Sequence, residues 1–376
     1  MIKTKIHQPD YIIIANLAIL IVLGLFILTS SSYFTACEKF NNCYFYLKHQ
    51  LLNGLLPGLF IFWLLARFDY HHLKKISLYL LIFSLIILAL VLVPGIGFAK
   101  EGVSRWIKIG GLNFQPSEFI KLSFLIYLAA WFSNHQDKFK SIKEVFIPFI
   151  LFLVIISVLI IFQPDIGTLL VIIVSAMIVY FVAGAPWKHL GLIIMGGLIS
   201  LVALIKIAPY RFDRVMVFLH PEADPQGIGY HINQAILAIG SGGIFGRGLG
   251  HSYQKINYLP EVVGDSIFAV MAEELGFIKM LIVVGLYIYL AIRIFRLANL
   301  NRDNFGRLLT VGIGSWFIFQ SLINMAAMLR LLPLTGIPLP FISYGGTSFC
   351  VFMAAFGILV NISKQTDGVD IKEKIC

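Results

Sequence analysis

Long apolar runs alternate along the chain with short polar segments. A helix needs about 20 predominantly apolar residues to cross the roughly 30 Å hydrocarbon core of a bilayer. Backbone groups inside lipid must find hydrogen bonds within their own segment, so each run is predicted to be a helix. Ten runs meet this pattern, and strand content is expected to be near zero. The predicted spans cover residues 11–32, 46–66, 76–93, 117–133, 145–162, 166–183, 190–208, 266–292, 308–332 and 343–362.

Composition supports a membrane protein. Hydrophobic residues make up 59% of the 376 positions and charged residues 13%, whereas soluble domains are about 45–50% apolar and about 25% charged. The chain is therefore predicted to be an all-α polytopic membrane protein, with residues 1–376 forming one integral membrane domain. Its net charge of +10 does not indicate a nucleic-acid partner, because the basic residues lie in short loops between apolar runs.

The loops predict an orientation. The loops on the side of the two termini are short and carry more Lys and Arg than those on the other side, so both termini are predicted to be cytoplasmic. Two outer loops are long, at about 94–116 and, between the seventh and eighth spans, at 209–265. Long loops in compact domains are usually functional. In the second one, His231–Ile239 has the spacing of an amphipathic helix at the membrane surface.

Five acidic residues lie at or within the apolar spans. A charge at the bilayer centre costs about 2.5–3.5 kcal/mol on insertion scales, so such residues face a cavity, find a partner or serve function. The five are Glu118, Asp165, Asp265, Glu273 and Glu274. Glu273 and Glu274 are either a buried structural pair or part of a polar path, and Glu273 is better placed to share a helix face with Asp265.

The other three acids each have a structural and a functional interpretation. Glu118 is spaced i,i+3 from Lys121, so the two can form an ion pair on one helix face. Asp165 can cap the helix that follows it, whose N-terminus carries partial positive charge. Asp265 can also be an N-cap, or it can be a general base whose pKa is raised by partly dry surroundings.

Two stretches rich in glycine or proline interrupt the apolar pattern. The run 240–250, GSGGIFGRGLG, lacks the Lys-Ser/Thr of a P-loop and follows no predicted strand, so it does not predict nucleotide binding. The stretch 331–348, LLPLTGIPLPFISYGGTS, has three prolines and three glycines in 18 residues and cannot form one helix. Irregular backbone at membrane depth is tolerated where it is buried or lines a cavity.

Together these features predict a cavity that opens to the outside, with the stretch 331–348 as its floor. The predicted lining and rim comprise Glu118, Lys121, Asp165 and Asp265, with Arg105, Trp106 and Lys108 at the rim. Basic and aromatic groups at an outer membrane surface suit an anionic amphiphile such as a lipid-linked phosphate. The residues alone do not distinguish a carrier from an enzyme.

The same stretches resemble the SEDS (shape, elongation, division and sporulation) family of bacterial cell-wall proteins, to which FtsW and RodA belong, and they look closer to FtsW. The matching pieces are GVSRWIKIGGLNFQPSEFIKL (102–122), QPDIGT (163–168), DPQGIGYHINQAILAIGSGGIFGRGLGHSYQK (224–255), YLPEVVGDSIFAVMAEELGF (258–277) and LPLTGIPLPFISYGGTS (332–348). The ten helices of the family fold agree with the ten predicted spans.

The resemblance implies a peptidoglycan glycosyltransferase that polymerises lipid II at the outer face of the bacterial cytoplasmic membrane. Its implied partners are a class B penicillin-binding protein and other divisome or elongasome proteins, and septal synthesis is favoured over elongation. A divalent cation, Mg²⁺ or Mn²⁺, is implied as a cofactor, with no ligands indicated beyond the carboxylates.

The essential acid of the family falls on Asp265, which is therefore the predicted catalytic residue. The other residues predicted to bind substrate or line the cavity are Glu118, Lys121, Asp165, Arg105, Trp106, Ser343 and Tyr344. The sequence departs from the family beside this acid, where Val263-Gly264 replaces His-Thr and Ser266 replaces Phe. Arg330 stands where the family usually has a small residue. Any role that the family assigns to the His before the acid is absent or moved in this chain.

The rival hypothesis is a lipid II flippase, which needs a polar path across the whole membrane and does not need Asp265. The in-span carboxylates lie mainly toward the outer end of the spans, which favours chemistry at the outer face. A scaffold that only recruits a transpeptidase leaves the buried charges unexplained. Whether Cys37 and Cys43, which share one outer loop, form a disulfide stays open.

Overall fold

The structure is a computed structural model that describes residues 7–100, 103–109, 112–139, 141–207, 209–220, 224 and 226–366. The extreme termini, for which a cytoplasmic location is predicted, lie outside the described residues.

Helices account for most of the described chain. They are α1 (Tyr11–Phe40), α2 (Phe45–Arg67), α3 (His71–Leu90), α4 (Pro116–Asn134), α5 (Ile142–Ile161), α6 (Ile166–Val182), α7 (Trp187–Ile207), α8 (Pro209–Leu219), α9 (Ile228–Ser241), α10 (Ile267–Leu300), α11 (Asn304–Met328) and α12 (Gly346–Lys364). A short 3₁₀ turn, Gln136–Lys138, follows α4. Helices α8 and α9 belong to the second long outer loop, and each of the other ten overlaps a predicted span, although α1 and α10 continue eight residues beyond the predicted ends at 32 and 292.

The prediction of an all-α polytopic membrane protein is confirmed. Among the described residues, seven helices are long and apolar enough to cross a membrane, namely α1, α2, α3, α5, α10, α11 and α12. Helix α9 covers the segment predicted to form an amphipathic helix.

Helix α11 lies at the centre of the bundle, where it packs against α4, α6, α10 and α12. Its side chains Trp316 and Phe317 are fully buried, whereas apolar side chains of outer helices, such as Phe26 and Tyr79, are largely exposed. Buried polar side chains also concentrate in α11, among them Gln320 and Asn324. Polar side chains between membrane helices bond across the interface, and α11 is therefore where such contacts are available.

The first outer loop contains a small antiparallel sheet, which the expectation of almost no strand did not include. Its strands, in the order β1-β2-β3, are β1 (Gly97–Lys100), β2 (Val103–Ile109) and β3 (Leu112–Phe114). The sequence carries no period-two signal for β2, because Ser104 and Arg105 are both polar and Trp106 and Ile107 are both apolar.

Cys37 and Cys43 form a disulfide, which decides the question that the sequence left open. The bond closes the connection between α1 and α2. Glu38, which lies between the two cysteines in the sequence, accepts a hydrogen bond from Asn257 Nδ2 at 3.1 Å. The disulfide therefore lies at the same end of the bundle as the second long outer loop.

The glycine run 240–250 packs against a break in α10. Gly276 has φ +77° and ψ 173°, which interrupts the helix. Backbone groups freed by the break are bonded to the glycine run, through amides of Arg247, Gly248 and Phe277 that donate to carbonyls of Glu273, Glu274 and Gly243 at 2.9–3.0 Å. The run therefore has a structural role, because it satisfies polar backbone that lipid could not.

Alanine at position 276 tests this contact. A Cβ there would lie 2.0 Å from the backbone nitrogen of Gly246, in a conformation that L residues rarely adopt. We expect Gly276→Ala to lower the free energy of unfolding by about 2–4 kcal/mol. In the matched control Gly285→Ala, in the same helix, no described atom lies within 4 Å of the added Cβ, and the change should be neutral or stabilising by up to about 1 kcal/mol.

Thermal unfolding of the purified protein in detergent, followed by tryptophan fluorescence, measures both variants. Equal unfolding temperatures for the two would contradict a structural role of the break.

Candidate active site

The candidate site is built around the irregular segment between α11 and α12, of which residues 331–345 are called the connection 331–345. Its carbonyl groups are bonded by side chains of neighbouring helices. These bonds are Asn324 Nδ2 to Ile337 O at 2.8 Å, Gln320 Nε2 to Pro338 O at 3.1 Å, and Tyr287 OH to Pro340 O at 2.6 Å. The prediction that residues 331–348 cannot form one helix is confirmed, and the structure shows how the exposed backbone is satisfied.

Asp265 lies at the start of α10, facing this connection. The N-cap position of α10 belongs to Ser266, so the N-cap interpretation of Asp265 is wrong. Asn324 Nδ2 donates to the main-chain oxygen of Asp265 at 2.9 Å. The backbone at Gly336 passes close to the carboxylate, because a Cβ atom added to this glycine would lie 4.0 Å from Asp265 Oδ2. Oδ1 is buried and has no hydrogen-bond partner among the described residues. Asp265 is therefore fixed through its main-chain oxygen, and one oxygen of its carboxylate still has an unused hydrogen-bond acceptor position.

The surroundings raise the pKa of Asp265 to about 7, mainly through burial and also through the negative charge of Glu261. The backbone amides of Asp265 and Ser266 and the charge of Arg214 act in the opposite direction. Arg214, on α8, reaches the same connection, with Nη1 3.5 Å from Leu334 O. A carboxylate with a pKa near neutrality can accept a proton and is well matched to a general base.

Ser343 and Tyr344 hold the backbone that precedes Asp265. Ser343 Oγ donates to Gly264 O at 2.7 Å, and the amide of Tyr344 donates to Val263 O at 2.8 Å. Both residues were predicted to bind substrate or line the cavity. The contacts give them a positioning role through Gly264 and Val263.

Glu118 and Lys121 form the predicted ion pair, with Nζ 2.8 Å from Oε1. Both side chains are almost fully buried, 1% and 2% exposed as residues. Lys121 Nζ also donates to Gln320 Oε1 at 2.8 Å, the same oxygen that accepts from Trp316 Nε1. Since Gln320 also bonds the connection 331–345, it links the ion pair to the same segment that Asp265 faces. Glu118 Oε2 has no hydrogen-bond partner in the described part of the chain.

Asp165 caps α6, as predicted, with Oδ1 accepting from the amide of Thr168 at 3.2 Å. The start of this helix packs tightly on the same connection, because a Cβ at Gly167 would lie 2.7 Å from Ile337 Cγ1. Asp165 is 6% exposed. Its place is therefore at the wall of the site, with its carboxylate engaged by the helix terminus.

Arg105 joins the small sheet to the turn before α6. Its Nε donates to Gln163 O at 2.8 Å and its Nη2 donates to Pro164 O. Trp106 pairs with Phe98 across the sheet, and Lys108 Nζ lies 3.6 Å from the centre of the Phe98 ring. These contacts place the predicted rim residues on a sheet anchored beside Asp165.

Glu273 and Glu274 have structural partners, which favours the structural interpretation of the two. Glu273 accepts from Ser252 Oγ at 2.5 Å and from the amide of Tyr253 at 3.0 Å. Glu274 forms a buried ion pair with Lys255 Nζ at 2.7 Å and accepts from Ser30 Oγ at 2.6 Å. Both acids fasten the loop that leads from α9 to Asp265.

Four residues of the site were not singled out from the sequence: Arg214, His231, Glu261 and Asn324. Arg214 and His231 lie on α8 and α9, and only the packing of those helices brings them to Asp265. Asn324 is a polar residue inside an apolar helix, which is a usable sequence signal. Within the described residues, no group of three or more His, Cys, Asp or Glu side chains could hold a metal ion.

Fold and site together define a polytopic membrane protein with a partly buried carboxylate at one end of its helix bundle, one oxygen of which has no hydrogen-bond partner among the described residues. The FtsW/RodA/SpoVE family model, described as a cell cycle protein, matches residues 10–368, and the chain belongs to this family.

Relatives match almost the full chain. It is similar to the "Probable peptidoglycan glycosyltransferase FtsW" of Trichlorobacter lovleyi, 38% identical over 96% of this chain and 94% of that protein. It is also similar to stage V sporulation protein E of Bacillus subtilis, 37% identical over 96% and 99% of the two chains. A chain of a peptidoglycan synthase complex has a TM-score of 0.77 and 28% identity, with coverage of 94% of this chain and 97% of that chain.

Removing one or both members of the Glu118–Lys121 pair tests its contribution to stability. Lys121→Met leaves Glu118 buried without a cation, so we expect the free energy of unfolding to fall by about 3–5 kcal/mol. The double variant Glu118→Gln/Lys121→Met removes both charges and should recover most of that loss. Thermal unfolding of the purified variants measures it, and a double variant as unstable as Lys121→Met would contradict the pairing argument.

Proposed function

We propose that this protein is a peptidoglycan glycosyltransferase that polymerises lipid II into glycan strands at the outer face of the bacterial cytoplasmic membrane. The observation that carries the proposal is the carboxylate of Asp265, whose Oδ1 has no hydrogen-bond partner among the described residues and whose pKa is about 7, close to the charge of Arg214. Membership of a family whose relatives carry the name peptidoglycan glycosyltransferase supports the choice of reaction.

In the proposed reaction Asp265 takes the proton from the 4-hydroxyl of the GlcNAc of an acceptor lipid II. That oxygen attacks the anomeric carbon of the MurNAc at the end of the growing chain. The bond from this carbon to the diphosphate breaks, and undecaprenyl diphosphate leaves with the electron pair. Arg214, which is exposed on α8, is placed to stabilise the negative charge that develops on the diphosphate.

Lys121 has a different role in this proposal from Arg214. It is buried and bonded to Glu118 and Gln320, so its charge acts from inside the bundle and holds the floor of the site. The cations of the outer loops then act directly on the leaving group.

A divalent cation, Mg²⁺ or Mn²⁺, fits this site in one way. Mg²⁺ is commonly held by one or two protein carboxylates together with substrate phosphates. The exposed carboxylate of Glu261, beside Asp265, is the donor that would hold it together with the diphosphate, which leaves Oδ1 of Asp265 as the proton acceptor. When bound, the cation would supply positive charge to the leaving diphosphate.

The orientation that we propose puts both termini in the cytoplasm and the site outside. Disulfides persist in oxidising compartments outside the cytoplasm. The Cys37–Cys43 disulfide lies at the end of the bundle that holds the site, where Tyr46 also packs edge-on against Tyr344. The bonded cysteines therefore support the orientation predicted from the positive charges.

We propose that a class B penicillin-binding protein supplies the crosslinking activity, as part of the divisome or the elongasome. The similar chain from a solved peptidoglycan synthase complex supports such an assembly. Relatives named FtsW favour septal synthesis. A flippase needs a polar path across the membrane, and the engagement of Glu273 and Glu274 in local contacts argues for the transferase.

Substitution of Asp265 tests the proposed base. Asp265→Asn keeps the shape and removes the proton acceptor, so we expect glycan polymerisation to fall by at least about 10²-fold without loss of folding. The assay uses the purified protein with its penicillin-binding protein, labelled lipid II and Mn²⁺, with the products separated on a glycan gel. The matched control is Asp303→Asn, because Asn also serves as the N-cap of α11. Polymer from Asp265→Asn at the wild-type level would overturn the assignment.

The pH dependence of the rate gives a second test. Asp265 acts as a base only when ionised, so kcat/KM should fall as the pH drops below about 7. The charge of Glu261 raises this pKa and that of Arg214 lowers it, so Glu261→Gln should move the midpoint to lower pH. Initial rates of polymerisation across neutral pH measure the shift. An unchanged midpoint in Glu261→Gln would contradict the electrostatic account.

A further inference from the structure

Helix α9 brings a histidine to the residue that follows Asp265. The Nε2 atom of His231 lies 2.6 Å from Ser266 Oγ. Ser266 is fully buried, and within the described structure its side chain makes no capping bond to the helix that it begins. The hydroxyl of Ser266 is therefore directed to α9 instead of to its own helix.

The chemistry of this contact is that of a neutral hydrogen bond. Burial lowers the pKa of His231 to about 4, so the imidazole is uncharged at neutral pH. A neutral imidazole has one donor and one acceptor nitrogen, and either can bond a hydroxyl. Such a buried bond orients its partners and brings no net charge beside the carboxylate of Asp265.

The segment around Asp265 is fastened on each side. Before it, Ser343 holds the carbonyl of Gly264, and Asn324 holds the carbonyl of Asp265 itself. After it, the hydroxyl of Ser266 is held by His231. The two residues before Asp265 supply no polar side chain, because they are Val263 and Gly264. The polar side chain next to Asp265 in the sequence is therefore that of Ser266, and its partner His231 lies on a different helix.

We propose that His231 is a positioning residue for Asp265, and that its bond to Ser266 fixes the turn at the start of α10 so that the carboxylate meets the acceptor hydroxyl. This inference rests on the proposed function, in which Asp265 is the base. It makes α9, an amphipathic helix of the outer loop, part of the machinery that aligns the base.

Three single variants and one double variant test the bond from both sides. His231→Phe keeps the ring volume without the ring nitrogens, and Ser266→Ala removes the hydroxyl. Each should lower kcat by about 10-fold, the value of one lost hydrogen bond, with KM for lipid II changed little. The double variant should be no slower than either single variant, since both remove one interaction. His231→Gln, which keeps a polar atom able to bond Ser266, should recover most of the rate.

The measurement is steady-state polymerisation of labelled lipid II by the full chain with its penicillin-binding protein. Unfolding temperatures are recorded for the same preparations. Asn233→Ala, an exposed position on α9, is the matched control and should retain the wild-type kcat. If the bond were merely structural, its loss would lower the unfolding temperature and the yield of protein. It would not lower kcat selectively while KM stays unchanged, and His231→Gln would not restore the rate.

Wild-type kcat in both His231→Phe and Ser266→Ala would overturn the proposal, as would losses that multiply in the double variant. Asp265→Asn, measured in parallel, separates this failure from that of the proposed function. An inactive Asp265→Asn beside a fully active His231→Phe would reject only the positioning role. A fully active Asp265→Asn would reject the base itself, and with it this role of His231.

Discussion

Backbone groups of the connection 331–345 cannot remain unpaired inside a bundle that excludes water, and the site depends on how they are bonded. The side chains that bond the carbonyls of Ile337, Pro338 and Pro340 come from α10 and α11. Two of these side chains do more than satisfy backbone. Gln320 bonds Pro338 and also accepts from Lys121, and Asn324 bonds Ile337 and also the carbonyl of Asp265. The hydrogen bonds that satisfy the backbone of the connection 331–345 therefore also link it to the buried ion pair and to the proposed base.

Among the described residues, four of the five acids at or within the predicted spans have strong partners, and the fifth, Asp265, has one oxygen without any. Glu118 and Glu274 each pair with a lysine, Glu273 accepts from loop groups, and Asp165 caps a helix. Asp265 has one oxygen, Oδ1, without a hydrogen bond within the described residues, and burial raises the pKa of this carboxyl group. The difference in partners, not in residue type, separates the structural acids from the reactive one.

A second break in the fold supports the first. At Gly276 the backbone of α10 leaves the helical path, and the glycine run 240–250 closes on it. The adjacent Glu273 and Glu274 then hold the loop around Ser252 and Lys255. That loop leads into Asp265, so the position of the base is secured from its N-terminal side by contacts made about two helical turns further along the chain. Stability at the break and geometry at the site are thus parts of one arrangement.

Local patterns were sufficient for the helices and for part of the site. The length of each apolar run predicted the spans, and the i,i+3 spacing predicted the Glu118–Lys121 pair. The position of Asp165 predicted its cap, and the prolines and glycines of 331–348 predicted that no continuous helix forms there. Each of these depends on residues within a few positions of one another. The tertiary structure alone decided that Asp265 Oδ1 has no hydrogen-bond partner among the described residues and that the N-cap is Ser266. It also decided that the charge of Arg214 acts on Asp265, that His231 bonds Ser266, and that Cys37 bonds Cys43. Those outcomes depend on how separate helices and loops pack, because burial and long-range hydrogen-bond partners have no counterpart in local spacing.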